Sequence, residues 1–221
     1  MIVAHLLWPY LAASLICIAA PGPDSLSVLS IGLSRGRREA MQFALGVGAG
    51  CLTHTLWAAL GMAAVVAASD SLFTAIKLAG AGYLLWIGIG ALRAPGGFVG
   101  GRDGPGGRGA SAARSATVMT GRRRFAQGFI NNSLNPKVML FFIAFLPQFV
   151  DPAAGRVSTQ MLVLGAGFAV MTAFSYVLLG AASGRVGEVL LRRPSLARNL
   201  DRLVGCLFIG LAARLALTQR V

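Results

Sequence analysis

Long apolar stretches alternate with short polar connections along the whole chain. Two of these stretches, residues 2–33 and 125–150, are interrupted near their middle by proline-containing motifs. The first stretch is about 30 residues long, so one straight helix would measure roughly 45 Å against a hydrocarbon core of roughly 30 Å. Proline removes a backbone donor and clashes with the preceding helical turn. We therefore predict that both stretches form broken helices.

Hydrophobic periodicity and the positions of helix-breaking residues predict six membrane spans. In chain order the spans are residues 5–33, 40–67, 71–92, 125–150, 159–181 and 203–217. The predicted fold is an all-α integral membrane protein, with span one broken at residues 21–23 and span four broken at Pro136. Broken helices at membrane depth expose peptide groups that lipid cannot satisfy, so they survive inside protein or beside a polar cavity. Paired breaks of this kind are typical of substrate sites in transporters.

Composition and charge placement narrow the class of protein further. The chain is 56% hydrophobic and only 12% charged, which excludes an ordinary soluble domain. A net charge of +13 could indicate nucleic-acid binding, but most of the Lys and Arg residues lie in three segments, 35–38, 93–124 and 185–202. These segments alternate with nearly uncharged connections, as the positive-inside rule requires of cytoplasmic loops. We predict no nucleic-acid partner, and both termini outside the cytoplasm.

The segment 93–124 is rich in Gly and Arg and poor in apolar side chains. We interpret it as a flexible cytoplasmic linker whose arginines contact anionic lipids. It separates two predicted domains, residues 1–92 and 125–221, of three spans each. Residues 45–61 and 164–180 share Leu-Gly-x-Gly, a central Thr and a final Leu-Gly at the same spacing. Because three spans per half reverse the orientation, the halves are predicted to be inverted repeats.

Three ionisable residues, Asp24, His54 and Lys137, lie deep within predicted spans. A charge at the bilayer centre is costly, so each should face protein or water. Matching the prolines of the two halves places Asp24 and Lys137 at equivalent positions, and we expect these side chains to approach one another. Two interpretations stay open: an ion pair that locks the broken helices together, or a site for a zwitterion with its ammonium at Asp24 and its carboxylate at Lys137.

Residues around the two breaks complete the candidate site. Peptide N–H groups at the start of each half-helix would favour a carboxylate. Asn131, Asn132 and Asn135 offer amides, and a helical projection puts the last two on one face; Asn135 could instead only cap the helix that starts at Pro136. The predicted substrate-binding residues are Pro21, Gly22, Pro23, Asp24, Asn132, Asn135, Pro136 and Lys137.

Proton coupling has two candidate residues. His54 carries an imidazole that titrates near physiological pH, although a buried histidine can equally serve as an interhelical hydrogen-bond partner. Asp24 is the second candidate, because burial favours a neutral carboxyl group. We find no serine–histidine arrangement, paired aspartates or Cys/His cluster at recognisable spacing. The sequence therefore predicts no enzyme, no cofactor and no metal.

Five motifs together give the chain a family resemblance. They are Pro21-Gly22-Pro23-Asp24, Ser34-Arg35-Gly36-Arg37, the segment 77–88 that starts Lys77-Leu78-Ala79-Gly80, Asn132-Ser133-Leu134-Asn135-Pro136-Lys137, and Phe145-Leu146-Pro147-Gln148-Phe149. With them the chain resembles the LysE/RhtB-type (lysine exporter) family of bacterial amino-acid efflux translocators. The resemblance implies a six-span inner-membrane exporter of small amino acids or close derivatives, driven by proton-motive force, with a homo-oligomer as a further expectation. A passive small-solute channel built on paired half-helices stays open as the alternative.

Overall fold

The computed structural model describes residues 4–20, 22–68, 70–93, 119–192 and 194–217. Pro21 and residues 94–118, most of the predicted linker, lie outside this set. Every regular element within the described ranges is helical, which confirms the predicted all-α class for that part of the chain. The α-helices are α1 (Ala4–Ala19), α2 (Pro23–Arg35), α3 (Arg37–Ala68), α4 (Asp70–Arg93), α5 (Gly121–Ser133), α6 (Pro136–Leu140), α7 (Val157–Arg192) and α8 (Pro194–Leu217).

Both predicted breaks occur at the proline motifs. The axes of Leu6–Ala19 and Pro23–Arg35 differ by 49°, and the axes of Gly121–Ser133 and Pro136–Phe149 also differ by 49°. Pro23 and Pro136 each occupy the first position of the helix that follows the break. A proline is tolerated there because its missing N–H would have no partner within the helix.

Two helices are long and apolar enough to cross a membrane on their own, namely α3 over Arg37–Gly61 and α7 over Val157–Val186. Counting each bent pair as one span raises this number to four. Helix α4 adds a shorter apolar stretch, Leu78–Arg93. The described residues thus contain two to four candidate spans, and the six-span count stays a prediction.

Several helices extend beyond the apolar stretches from which they were predicted. Helix α5 begins at Gly121 rather than at residue 125, because the Thr120 side chain caps it by accepting a hydrogen bond from the Arg123 N–H. Helices α7 and α8 nearly meet, ending at Arg192 and starting at Pro194. Hydropathy marks the part of a helix that suits lipid, whereas backbone hydrogen bonding continues into the polar ends.

Close backbone contacts fix the packing of α5 against α3. A Cβ atom added at Gly46 would lie 2.0 Å from the carbonyl oxygen of Phe125, and one added at Gly128 would lie 2.1 Å from that of Phe43. The two helices therefore touch through their backbones, as membrane helices do where glycines line the interface. Helix α3 also packs along α7, and α4 packs along α8.

Two glycines with positive φ mark corresponding turns. Gly36 (φ 91°) precedes α3 and Gly155 (φ 72°) precedes α7. Their separation in the chain equals that of Gly46 and Gly165, which the internal sequence match aligns. A left-handed backbone conformation favours glycine at both turns, because a side chain there would be strained.

Candidate functional site

Asp24 lies in the first turn of α2, at the first break, with 1% of its surface exposed. Its carboxylate accepts three hydrogen bonds from side-chain amides. Asn131 donates to Oδ1 at 2.7 Å, and Asn132 and Asn135 each donate to Oδ2 at 2.8 Å. The asparagines flank the second break, so Asp24 joins the two broken helices.

The second break brings the three asparagines together. Asn131 and Asn132 lie in the last turn of α5, and Asn135 directly precedes α6. The Oδ1 atom of Asn135 accepts the Lys137 backbone N–H at 3.0 Å. Asn135 therefore both caps α6 and binds Asp24. Asn131, which the helical projection ranked lower, contacts Asp24 as well, because the carboxylate presents a separate oxygen to it.

Lys137 extends back to the first break. Its ammonium group donates to the carbonyl oxygens of Cys17 at 3.1 Å and Ala20 at 2.9 Å. These carbonyls lie at the C-terminal end of α1, where helix peptide groups lack partners and the dipole favours a cation. An ammonium has three hydrogens, and within the described part of the chain two of them are bonded, which leaves one for a ligand.

Asp24 and Lys137, both described in the structure, form no direct ion pair. Asn135 links them instead, because its Nδ2 donates to the Asp24 carboxylate while its Oδ1 accepts the Lys137 N–H. The expected direct approach of the two charges is thus replaced by an amide bridge. The physical reason is that each charge finds partners elsewhere: Asp24 among side-chain amides and Lys137 among backbone carbonyls.

Gly22 makes room for the lysine at the first break. A Cβ atom added at Gly22 would lie 3.1 Å from the Lys137 Nζ atom. The Gly22 N–H donates to the Ser25 Oγ atom at 2.9 Å, and this interaction closes the first turn of α2. Of the predicted site residues, Gly22, Pro23 and Pro136 therefore shape the breaks, while Pro21 is not among the described residues.

His54 in α3 contacts the second break. Its Nε2 atom lies 2.9 Å from the carbonyl oxygen of Asn132. Since a carbonyl oxygen only accepts, Nε2 carries the hydrogen of this bond. His54 thus binds the C-terminal end of α5 as Lys137 binds that of α1. The interhelical hydrogen bond left open by the sequence is formed, and Asn132 connects His54 to Asp24.

Two buried tyrosines join α1 to α7. The Tyr10 hydroxyl donates to the carbonyl oxygen of Leu164 at 2.5 Å, and the Tyr176 hydroxyl donates to that of Ile18 at 3.1 Å. Neither hydrogen bond was predicted from the sequence. The available signal was that a buried tyrosine needs an acceptor for its hydroxyl.

Aromatic side chains form an apolar wall after α6. Residues Phe141–Phe145 adopt a π-helical turn. This turn comes shortly before Pro147, whose backbone nitrogen has no hydrogen to donate. Phe168 of α7 stacks on Phe141 with ring centroids 4.8 Å apart and meets Phe142 edge-on at 5.2 Å. The Phe142 ring also lies 5.8 Å from the His54 ring, so this aromatic cluster adjoins the second break.

The arrangement suits a small zwitterion. Lys137 retains one hydrogen for a carboxylate, and the carboxylate of Asp24 has more acceptor sites than the three in use. The buried Asn132 Oδ1 atom has no hydrogen-bond partner among the residues that the structure describes. It is an acceptor suited to an ammonium, since the Nδ2 atom of the same amide already donates to Asp24.

The chain is similar to one protein family and to several named proteins along nearly its whole length. The family model described as "LysE type translocator" matches residues 15–219. A protein named leucine efflux protein from Enterobacter sp. (strain 638) is 31% identical, covering 95% of this chain and 94% of its own. A leucine efflux protein from Salmonella choleraesuis is 30% identical, covering 96% and 95%. An uncharacterized membrane protein of Pseudomonas aeruginosa is 32% identical, covering 95% and 94%. No solved structure matches the chain.

Proposed function

Because the chain belongs to the LysE type translocator family, and is thus an amino-acid efflux transporter and not an enzyme, we propose that it is a secondary active exporter driven by proton-motive force. Its substrates are small amino acids or close derivatives. The observation that carries this proposal is the meeting of two broken helices through Asp24 and the three asparagines. Polar groups at paired helix breaks are where secondary transporters bind substrate.

The substrate-binding residues are those predicted from sequence, together with Asn131. The substrate's ammonium would lie beside Asp24 and Asn132, and its carboxylate beside the free hydrogen of Lys137. One buried carboxylate and one buried ammonium suit a neutral amino acid. The names of the Enterobacter and Salmonella relatives make leucine the first candidate.

The proposed architecture is six spans in two inverted repeats, residues 1–92 and 125–221, joined by the linker 93–124. The equal 49° bends and the matched turns at Gly36 and Gly155 support the repeat. The proposed location is the bacterial inner membrane, with the basic segments in the cytoplasm and both termini outside it. Large apolar side chains on the surface, including Leu60, Trp57 and Phe174, would face lipid or a second copy of the chain.

We assign the transported proton to His54, with Asp24 as the second candidate. Three side-chain amides donate hydrogen bonds to the Asp24 carboxylate. The imidazole can take a proton on Nδ1 while Nε2 keeps its bond to Asn132. The intervening Asn132 connects the two groups, so proton binding and substrate binding would act on one set of contacts.

Counterflow into proteoliposomes tests the function. Proteoliposomes that contain the purified protein and are loaded with unlabelled leucine should exchange it for labelled leucine from outside, and the exchange rate should saturate. An imposed proton gradient should drive accumulation of leucine in the vesicles. Asp24→Asn, Lys137→Ala and Asn135→Ala should each reduce exchange, whereas Asn199→Ala, at an exposed position of α8, should not. Unsaturable flux that ignores the gradient would indicate a channel. Parental rates in all three folded variants would refute the site.

A further inference from the structure

The hydroxyl group of Tyr176 lies at the first break, where α1 ends and α2 begins. It donates to the carbonyl oxygen of Ile18, in the last turn of α1, at 3.1 Å. It also makes a side-chain hydrogen bond with Ser25, in the first turn of α2. Tyr176 itself belongs to α7 and is 4% exposed. One buried hydroxyl from a third helix therefore contacts both sides of the break.

Ser25 connects this hydroxyl group to the ammonium group of Lys137. The Oγ atom of Ser25 accepts the Gly22 N–H at 2.9 Å. Gly22 is in turn adjacent to Lys137, because a Cβ atom added to this glycine would lie 3.1 Å from Nζ. The contacts thus run from Tyr176 through Ser25 and Gly22 to the charged end of the lysine.

Lys137 also binds the same turn of α1 as Tyr176 does. Its ammonium group donates to the carbonyl oxygens of Cys17 and Ala20. The carbonyl oxygen of Ile18, between these two in the sequence, accepts from Tyr176. The end of α1 is therefore held from α6 and from α7 at neighbouring peptide groups. A shift of this turn would carry the ammonium group with it.

The internal sequence match does not account for this hydroxyl group. It aligns Tyr176 with Trp57 of α3, which is exposed and has no hydroxyl. The second break is instead bound from α3 by His54, through the carbonyl oxygen of Asn132. The contact of Tyr176 with both sides of a break is thus particular to the first break.

We propose that Tyr176 is a positioning residue for amino-acid export, a role that rests on the function proposed above. Its hydroxyl group fixes the bend between α1 and α2, and thereby holds the Lys137 ammonium where it binds the carboxylate of the substrate. Binding groups need such supporting hydrogen bonds to keep their geometry. Asp24, which directly precedes Ser25, depends on Tyr176 less, because three asparagine side chains also hold it. Loss of the hydroxyl should therefore weaken carboxylate binding more than ammonium binding.

Tyr176→Phe tests this role, with Tyr10→Phe as the matched control. Each variant loses one hydroxyl bond between α1 and α7, since Tyr10 donates to the carbonyl oxygen of Leu164. Among the described contacts of these two hydroxyls, only those of Tyr176 reach α2. Tyr176→Phe should raise the half-saturating leucine concentration by about three- to tenfold, as expected for one lost hydrogen bond.

Two comparisons separate this effect from a general loss of stability. Competition by leucinamide, which has the ammonium of leucine but no carboxylate, should change much less in Tyr176→Phe than the leucine value does. Tyr10→Phe should leave both ligands unchanged. Equal losses for the two ligands, or the same loss in the two variants, would overturn the assignment.

Ser25 variants test the proposed route to Lys137. Ser25→Ala should also raise the half-saturating leucine concentration, and Ser25→Thr, which keeps a hydroxyl group, should restore most of the parental value. The double variant Ser25→Ala with Tyr176→Phe should lose less than the product of the two single losses, because both changes break one set of contacts. Fully multiplicative losses would show that Tyr176 does not act through Ser25.

Hydrogen–deuterium exchange gives a measurement that needs no substrate. In Tyr176→Phe the peptide that contains Gly22 should exchange faster than in the parent, whereas in Tyr10→Phe it should exchange at the parental rate. Faster exchange at the break in a chain that exports no amino acid would refute the proposed function but keep Tyr176 as the residue that fixes the break. Unchanged exchange in Tyr176→Phe would refute the positioning role even if export is observed.

Discussion

The ammonium of Lys137 lies 2.9 Å from the carbonyl oxygen of Ala20, so a side chain from the second broken helix closes the end of the first. Lysine at this position therefore has a structural role in addition to its proposed role with substrate. Its second bond, to Cys17, leaves one hydrogen for a ligand. The same residue can both hold the break and respond to what occupies it.

Replacing Lys137 by methionine should destabilise the protein even without substrate. The change leaves two carbonyl groups at the end of α1 without their donor, and losing hydrogen bonds to a charged group costs about 1.5–3 kcal/mol each. Thermal unfolding in detergent would measure the loss. Arg122→Met on α5, at an exposed position, is the control and should change stability little. Equal unfolding temperatures for both variants would contradict the capping role.

Gly46→Ala should strongly reduce the yield of folded protein, because the added methyl group would meet the Phe125 carbonyl oxygen at 2.0 Å. Forced overpacking costs about 1–3 kcal/mol or more. Gly61→Ala in the same helix meets no atom within 4 Å and should be neutral, or stabilising by up to about 1 kcal/mol. Size-exclusion profiles and unfolding temperatures of the Gly46→Ala and Gly61→Ala variants would measure the difference. A normal yield and unfolding temperature for Gly46→Ala would show that α3 and α5 pack less closely than the structure indicates.

His54→Gln should preserve the fold and amino-acid exchange but abolish acceleration by an imposed pH gradient. Glutamine can still donate to the Asn132 carbonyl oxygen, but it cannot take up a proton. Counterflow without a gradient and uptake with one, measured on the same vesicles, separate the two effects. His54→Phe is the companion variant and should be less stable because it loses the donor. If His54→Gln responds to the pH gradient as the parent does, another group carries the transported proton.

The ion pair between Arg124 of α5 and Glu39 of α3 should have an asymmetric response to mutation. The Arg124 side chain is 4% exposed and that of Glu39 is 20% exposed. Glu39→Leu leaves the buried Arg124 cation with the neutral Gln127 side chain as its remaining partner and should cost about 3–5 kcal/mol, more than Arg124→Met. The double variant should recover part of the loss. Unfolding free energies in a double-mutant cycle measure this, with exposed Arg123→Met as the control; additive losses would show that the pair does not interact.

The positions of the helix breaks could be predicted from sequence because proline acts locally. Pro23 and Pro136 restrict the backbone wherever they occur, so both bends were located correctly. The start of α5 was missed by four residues, since Arg122 and Arg123 read as linker. Their helical state depends on the cap at Thr120 and on packing against α3, which a hydropathy pattern does not contain.

Most of the polar residues that lie together at the breaks could be named from the sequence, but their hydrogen-bond partners could not. Charge type suggested pairing Asp24 with Lys137, whereas Lys137 binds backbone carbonyls. Every residue has a carbonyl oxygen, so an acceptor of this kind has no sequence signature. Tyr176 and Leu164 illustrate the same limit, because their hydrogen bonds to or from α1 depend on the relative register of two distant helices.

The two helix ends at the breaks are closed reciprocally: Lys137, late in the chain, serves α1, and His54, early in the chain, serves α5. The part of the chain before the connection between α4 and α5 therefore depends on a hydrogen-bond donor from the part after it, and the reverse also holds. Two separately expressed fragments, cut within the connection between α4 and α5, should be stable only when produced together. If the chain is the inverted repeat proposed above and arose by duplication, its single-copy ancestor would have needed a second, oppositely inserted molecule to complete each kink.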